Sequence, residues 1–137
     1  MSEIKVDTLT GKTTAKTVTV TVGATATMSL EQGLAKTWLL YNNSGAIADS
    51  LNISTVTDIQ TGNWLENYTS SMSTVSYTKI GSSGQADGGG TPLRVIGQDE
   101  DNEVKTTSSM RLYNLTSNAG SVADNPRIST STNGDLA

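Results

Sequence analysis

The sequence contains no cysteine and no histidine. Without thiols there is neither a disulfide framework nor a thiolate metal site, and without imidazole the usual general base is missing along with the thiol nucleophile. A Ser-His-Asp arrangement is excluded, and Gly-x-Ser-x-Gly does not occur. Clustered basic charge is lacking too: 9 Lys and Arg lie scattered among 13 Asp and Glu, for a net charge of −4 and a pI near 4.6. Phosphate backbones are bound by clustered cations that release counterions, so nucleic acid is not an expected partner. The opening MSEIKVDTLT holds no continuous apolar region. Neither a signal peptide nor membrane insertion is therefore expected, and assembly in a reducing cytoplasm fits the absence of cysteine.

Apolar material is also scarce. Phenylalanine is absent, hydrophobic residues make up 34% of the chain and aromatics 4%. A chain of 137 residues makes one ordinary domain. At about 25 cal/mol per Å² of buried apolar surface, against an ordering cost of about 1 to 2 kcal/mol per residue, it is marginal as a lone monomer. Association with further copies is expected to offset the shortfall.

What is present concentrates between Ala35 and Tyr68, where both tryptophans lie. Trp38 sits in a compact apolar run with Leu39, Leu40 and Tyr41. After a small-polar turn at 42–45, Ile47, Leu51, Ile53 and Val56 recur at strand-like intervals. The run Asp58 to Asn63 reads as a hairpin loop, since Asp and Asn tolerate turn dihedrals and Gly62 supplies a positive φ; Trp64 then begins the return. Each Trp buries roughly 150 to 250 Å² when packed, so the core is expected to form around the two.

The residues Lys36-Thr37-Trp38, Asn52-Ile53-Ser54-Thr55, Thr57-Asp58 to Gly62, and Trp64 with Tyr68 resemble the β-rich domain of small fibre proteins from marine short-tailed bacteriophages, those of cyanobacteria and related ocean bacteria. The opening MSEIKVDTLTGKT, the segment SLEQGLAK and the closing Gly134-Asp135-Leu136-Ala137 are similar as well. Together these cover rather more than half of the chain, and the segment 81–127 matches no part of the pattern. The resemblance implies a virion structural protein, a trimeric tail fibre subunit that attaches to the particle and contributes to recognition of a host cell-surface receptor. Its expected location is the surface of the virion, and its expected partners are further copies of itself and other virion proteins, a tail adaptor or collar, or the capsid. A capsid decoration protein or head fibre is the alternative reading.

The rest of the chain divides into an arm and connector, residues 1–34, and a fibre domain, residues 35–137. Ile4 and Val6 lie on one side of an extended opening segment. Val18, Val20 and Val22 alternate with threonines in the cleanest period-2 pattern of the sequence, the mark of a half-buried strand or of an arm that augments a neighbour's sheet. These five residues are the candidate virion-attachment set. Ser29-Leu30-Glu31-Gln32 has capping-box spacing, and with Gly33 costing about 1 kcal/mol relative to Ala it predicts a short connector helix.

Beyond Trp64, strands are expected over Val75 to Ile80, Leu93 to Ile96, Met110 to Leu115 and Ile128 to Thr130. The Gly- and Ser-rich stretch from Gly81 to Gly90 reads as a flexible loop; Thr91-Pro92 follows it where a phosphate loop needs Gly-Lys-Ser/Thr. Gln85 and Asp87 in that loop, and Asp99, Asp101 and Glu103 in the next, are the candidate host-facing residues. The second loop is rich enough in carboxylates to raise a Ca²⁺ site, yet it lacks the EF-hand glycine and terminal glutamate, so a solvated loop is the plainer reading. No cofactor, metal or catalytic residue is expected. A glycan-cleaving carboxylate pair about 5 to 10 Å apart is a weak alternative, since so thin a chain offers little scaffold for a shielded cleft.

The predicted fold is all-β: an antiparallel, jelly-roll-like β-sandwich with an extended N-terminal arm and a short connector helix. Trp38, Leu40, Leu51, Ile53, Trp64, Tyr77, Val95 and Leu112 are expected in its core or subunit interface.

Overall fold

In the computed structural model the described residues are 5–8, 18–22, 26–30, 33–84, 94–98, 105–116 and 122–137. They are all-β, with no helix among them. The chain forms two compact units, Met1–Leu34 and Ala35–Ala137.

In the first unit β1 (Thr19–Val22) pairs antiparallel with β2 (Ala26–Ser29) as a two-stranded sheet. The alternating Thr-Val run is therefore a strand over Thr19–Val22, paired within its own unit. Ser29, read as a helix cap, ends β2 opposite Thr19, and Leu30 N–H donates to the Val18 carbonyl at 2.7 Å. Ladder pairing has taken the backbone that the capping box needed. Glu31 and Gln32 lie outside the described residues.

The second unit holds two antiparallel four-stranded sheets. One has the order β4-β3-β10-β7, built from β3 (Thr37–Tyr41), β4 (Ile47–Leu51), β7 (Thr78–Gly84) and β10 (Arg127–Asn133). The other has the order β5-β6-β9-β8, from β5 (Ile53–Gln60), β6 (Asn63–Tyr68), β8 (Arg94–Gln98) and β9 (Ser109–Thr116). Their inner faces meet in a sandwich-like core. Leu39, Tyr41 and Ile128 come from the first sheet and Ile53, Trp64, Tyr68, Met110 and Leu112 from the second, with Met72 and Tyr77 closing the side. Tyr41 meets Trp64 edge-on across the gap, ring centroids 5.9 Å apart, and Tyr68 meets Tyr77 in the same way.

Two positions turn the chain. Asn52 links β4 to β5, and so one sheet to the other, at φ 57°. Its side-chain amide donates to the Ser70 carbonyl at 3.0 Å while its Oδ1 accepts from Ser70 N–H at 2.7 Å. Gly62 closes the β5-β6 hairpin at φ 68°, where a Cβ would stand 2.7 Å from Ala123 N. Gly62 N–H donates to Asp124 Oδ1 at 2.6 Å.

Three expectations need correction. Strand β5 runs on through Asp58 to Gln60, so the hairpin loop is only Thr61-Gly62. Strand β7 is Thr78–Gly84 instead of Val75 to Ile80: Gly81 to Gly84, the first part of the stretch read as a flexible loop, pair along β10, whose ladder runs from Arg127 opposite Gly84 to Asn133 opposite Thr78. At Gly81 a Cβ would lie 3.0 Å from the Ser129 carbonyl oxygen, so the close pairing itself favours glycine there. Finally, the core forms around Trp64 and not around both tryptophans: of the residues expected in the core or subunit interface, Trp38, Leu40 and Leu51 are exposed in the single chain. The pattern of β3 buries Thr37, Leu39 and Tyr41 and turns Trp38 and Leu40 outward. Ile53, Trp64, Tyr77 and Leu112 are buried as expected. The side chain of Val95 lies outside what is described.

Candidate functional site

Among the described residues, the outer face of the β4-β3-β10-β7 sheet carries the exposed Trp38, Leu40, Leu51 and Ile80. Side chains alternate across a strand, so the ladder fixes which residues share this face. One outward row reads Leu51, Trp38, Ser131, Ile80, and the next reads Asp49, Leu40, Ser129, Ser82. Trp38 is 39% exposed and Ile80 66%. The face is a ridge of Trp38 and Leu40 beside a trough of about 260 Å³ that runs over Ser129, Ser131 and Gly81, with Ile80 as its far wall. The hydroxyls in the trough already have partners: Ser131 donates to the Thr37 carbonyl at 3.2 Å, and Ser82 and Ser129 lie 2.9 Å apart.

At one end of the same sheet a second open depression, about 390 Å³, lies among Leu40, Asn42, Ile47, Pro126 and Arg127. The Asn42 side chain is occupied in shaping the turn, accepting from Ser44 N–H and Ala46 N–H at 3.0 Å each.

Between the sheets lies a polar cluster that the sequence reading missed. On β6, Trp64, Glu66 and Tyr68 point inward together, and the Glu66 side chain is fully buried. Lys79 on β7 forms an ion pair with Glu66 Oε2, the two side chains 1% and 0% exposed. Thr130 Oγ1 donates to the same carboxyl, at 3.0 and 3.1 Å from its two oxygens. The Lys79 ammonium also stands 5.3 Å from the centre of the Tyr68 ring. Burial pushes the Glu66 carboxyl above the ordinary carboxylate range, and Lys79 and Thr130 oppose this without cancelling it. Burial likewise drives Lys79 below the ordinary lysine range, against the pull of Glu66. Tyr41, beside Glu66, has its ionisation pushed far up by burial first and by that carboxylate second. A pair this enclosed meets no substrate, so its chemistry is that of a cross-sheet tie.

The candidate site residues are only partly described. Val6 is exposed at 61% and Val20 at 36%, Val18 is half-buried, and Val22 is placed in β1 by its backbone. Ile4, Gln85, Asp87, Asp99, Asp101 and Glu103 lie outside the described residues. Among the described residues no three His, Cys, Asp or Glu side chains converge as metal ligands do. The missed pair did leave a signal: once Trp64 and Tyr68 are taken as inward, the period of two puts Glu66 inward with them.

No protein family, curated protein or solved structure matches the chain.

Proposed function

We propose that the chain is a structural subunit of a bacteriophage virion, a tail fibre protein whose residues 1–34 bind the particle and whose residues 35–137 project outward and contribute to host adsorption. What carries this reading is the resemblance of Lys36-Thr37-Trp38, Asn52 to Thr55, Thr57-Asp58 to Gly62, Trp64, Tyr68 and Gly134 to Ala137 to small phage fibre proteins. Several of these residues do defined structural work. Asn52 turns the chain between sheets, Gly62 closes a hairpin, Trp64 is wholly buried, and Gly134 packs where a Cβ would stand 2.6 Å from the Tyr77 Cβ. An outward face bearing Trp38 and Ile80 is what a subunit that is covered on assembly presents, and this supports an oligomer, with three copies the number we propose.

The finer architecture belongs to the same proposal. The connections β4 to β5, β6 to β7, β7 to β8 and β9 to β10 pass between sheets, as in a jelly roll, while β3-β4, β5-β6 and β8-β9 are neighbours within a sheet. We read the wrapping as jelly-roll-like with in-sheet hairpins. The reading includes no catalytic activity, and release of saccharide from host envelope material by the purified protein would count against it.

The deciding experiment is to locate the protein on purified particles with labelled antibody. Label at the tail or collar is the expected result. Label on the shell would make it a decoration protein or head fibre, and its absence from particles would overturn the virion assignment altogether. Phage lacking residues 2–34 of the protein are expected to assemble without it, and phage shortened over 85–90 to retain it yet adsorb poorly.

A further inference from the structure

Resting on the reading that the chain works as an oligomer, we propose that the outer face of the β4-β3-β10-β7 sheet is where its copies meet, the Trp38 and Leu40 ridge of one lying in the Ser129 and Ser131 trough of the next.

Charge favours a second copy as the occupant. The two outward rows hold a single charged residue, Asp49, at the β4 edge of the face. Arg127, exposed two residues before Ser129 on the same side of β10, gives the face one cation besides that carboxylate; a lone cation is a poor basis for binding an anionic polymer, and a lone carboxylate for binding a cationic partner. A copy of the same surface brings apolar groups and hydroxyls, with its own Asp49 kept to the rim.

The polar atoms agree. Because the Ser131 hydroxyl is bonded to the Thr37 carbonyl and one hydroxyl of the Ser82 and Ser129 pair donates to the other, an apolar ridge covering the trough leaves a single hydroxyl hydrogen of that pair for the neighbour to meet. A trough built to hold a sugar would instead aim free hydroxyls or amides outward.

Size and shape complete the argument. Four strands about 4.8 Å apart, over about five residues of about 3.3 Å each, give a flat face of roughly 300 Å². That is the apolar centre of a contact whose full extent in a stable complex is about 800 Å² per partner, ringed by a polar rim such as Asp49 and the serines begin here. Ridge and trough lie side by side, so each copy offers one half to the neighbour before it and the other to the neighbour after it. Three copies closed about an axis use both halves of every face.

The test is the mass and dissociation constant of the full chain, by light scattering and sedimentation, beside those of Trp38→Ser and Ile80→Lys. Both side chains are turned away from the core, so the variants are expected to keep the far-ultraviolet circular dichroism of the parent. Each is expected to weaken association about 30-fold or more, as loss of a buried anchor does. If the parent is oligomeric and both folded variants associate as tightly as it does, this face is not the contact although the oligomer stands. A parent that stays monomeric at micromolar concentration would remove the oligomer itself, and the proposal with it. Because the chain has no cysteine, a second measurement is clean and does not depend on weakened binding. Leu40→Cys and Ser129→Cys chains, co-expressed and oxidised, are expected to give a disulfide-linked pair of unlike chains; an oligomer that yields none overturns the ridge-in-trough contact.

Discussion

A carboxyl and an ammonium group sealed between two sheets carry a desolvation cost that their mutual contact offsets, with help from the Thr130 hydroxyl, so each is costly without the other. Lys79→Met leaves the Glu66 carboxyl buried with Thr130 as its remaining donor, and we expect it to lower stability by about 3 to 5 kcal/mol near neutral pH. The pH dependence of that loss has a definite sign. The folded Glu66 value is raised above its ordinary 4.5, so its contribution to stability is fully present below pH 4.5 and is lost as pH rises through the folded value. Lys79 has the opposite sign, its folded value lying below 10.5, and its removal leaves the Glu66 slope alone. Urea unfolding of Lys79→Met should therefore show stability recovering as pH falls from 8 toward about 4.5, and Glu66→Leu with Lys79→Met should lose that slope. A single variant as stable as the parent at neutral pH would show that the pair ties nothing together. Trp38→Ala makes the contrasting case: an outward residue leaves no core cavity, so its cost in a dilute monomer is expected below about 1 kcal/mol.

At the scale of elements, Asn52 and Gly62 decide how the strands are joined. Asn52 holds a left-handed conformation that costs most residues about 1 to 2 kcal/mol, and it makes two hydrogen bonds to Ser70 worth about 0.5 to 1.5 kcal/mol each. Asn52→Gly keeps the backbone freedom and loses the bonds; Asn52→Ala loses both. Alanine should then destabilise more than glycine, by about 1 kcal/mol or more in denaturant melts; the reverse order would mean that the left-handed backbone costs alanine nothing, and a glycine variant as stable as the parent would mean that the side-chain bonds contribute nothing. Gly62→Ala, with positive φ and Ala123 in the way, is expected to cost at least about 2 kcal/mol. The hairpin at Gly62 was legible because its residue types have a mechanism, and the all-β class was legible from alternation. The facing of β3 was not: Trp38, Leu39, Leu40 and Tyr41 form a continuous apolar run that fits either parity, and only pairing with Ile128 and Thr130 of β10 shows which half is inside. Strand β7 was misplaced for a related reason. Its glycines and serines have little intrinsic preference for a strand, so the β10 ladder, formed with residues more than 40 positions away, decides the matter.

The described hydrophobic core cluster of the whole molecule belongs entirely to the second unit: Leu39, Tyr41, Ile53, Trp64, Tyr68, Met72, Tyr77, Met110, Leu112 and Ile128. That inventory is small, and threonines fill part of what remains of the interior. Thr37 Oγ1 donates to Thr132 Oγ1 at 2.8 Å with both residues fully buried, so hydrogen bonding stands where apolar packing would otherwise be. Two consequences can be separated by experiment. Because no member of the cluster lies before residue 35, residues 35–137 produced alone should fold and keep the near-ultraviolet signal of the buried Trp64. Because an assembled state binds folded and not unfolded chains, the melting temperature of the full chain should rise with protein concentration by mass action. If the outer face of the β4-β3-β10-β7 sheet makes that contact, the shortened chain keeps the concentration dependence and Trp38→Ser loses it. If the arm makes it, the outcome reverses: the shortened chain melts at one temperature at every concentration, while Trp38→Ser behaves as the parent does.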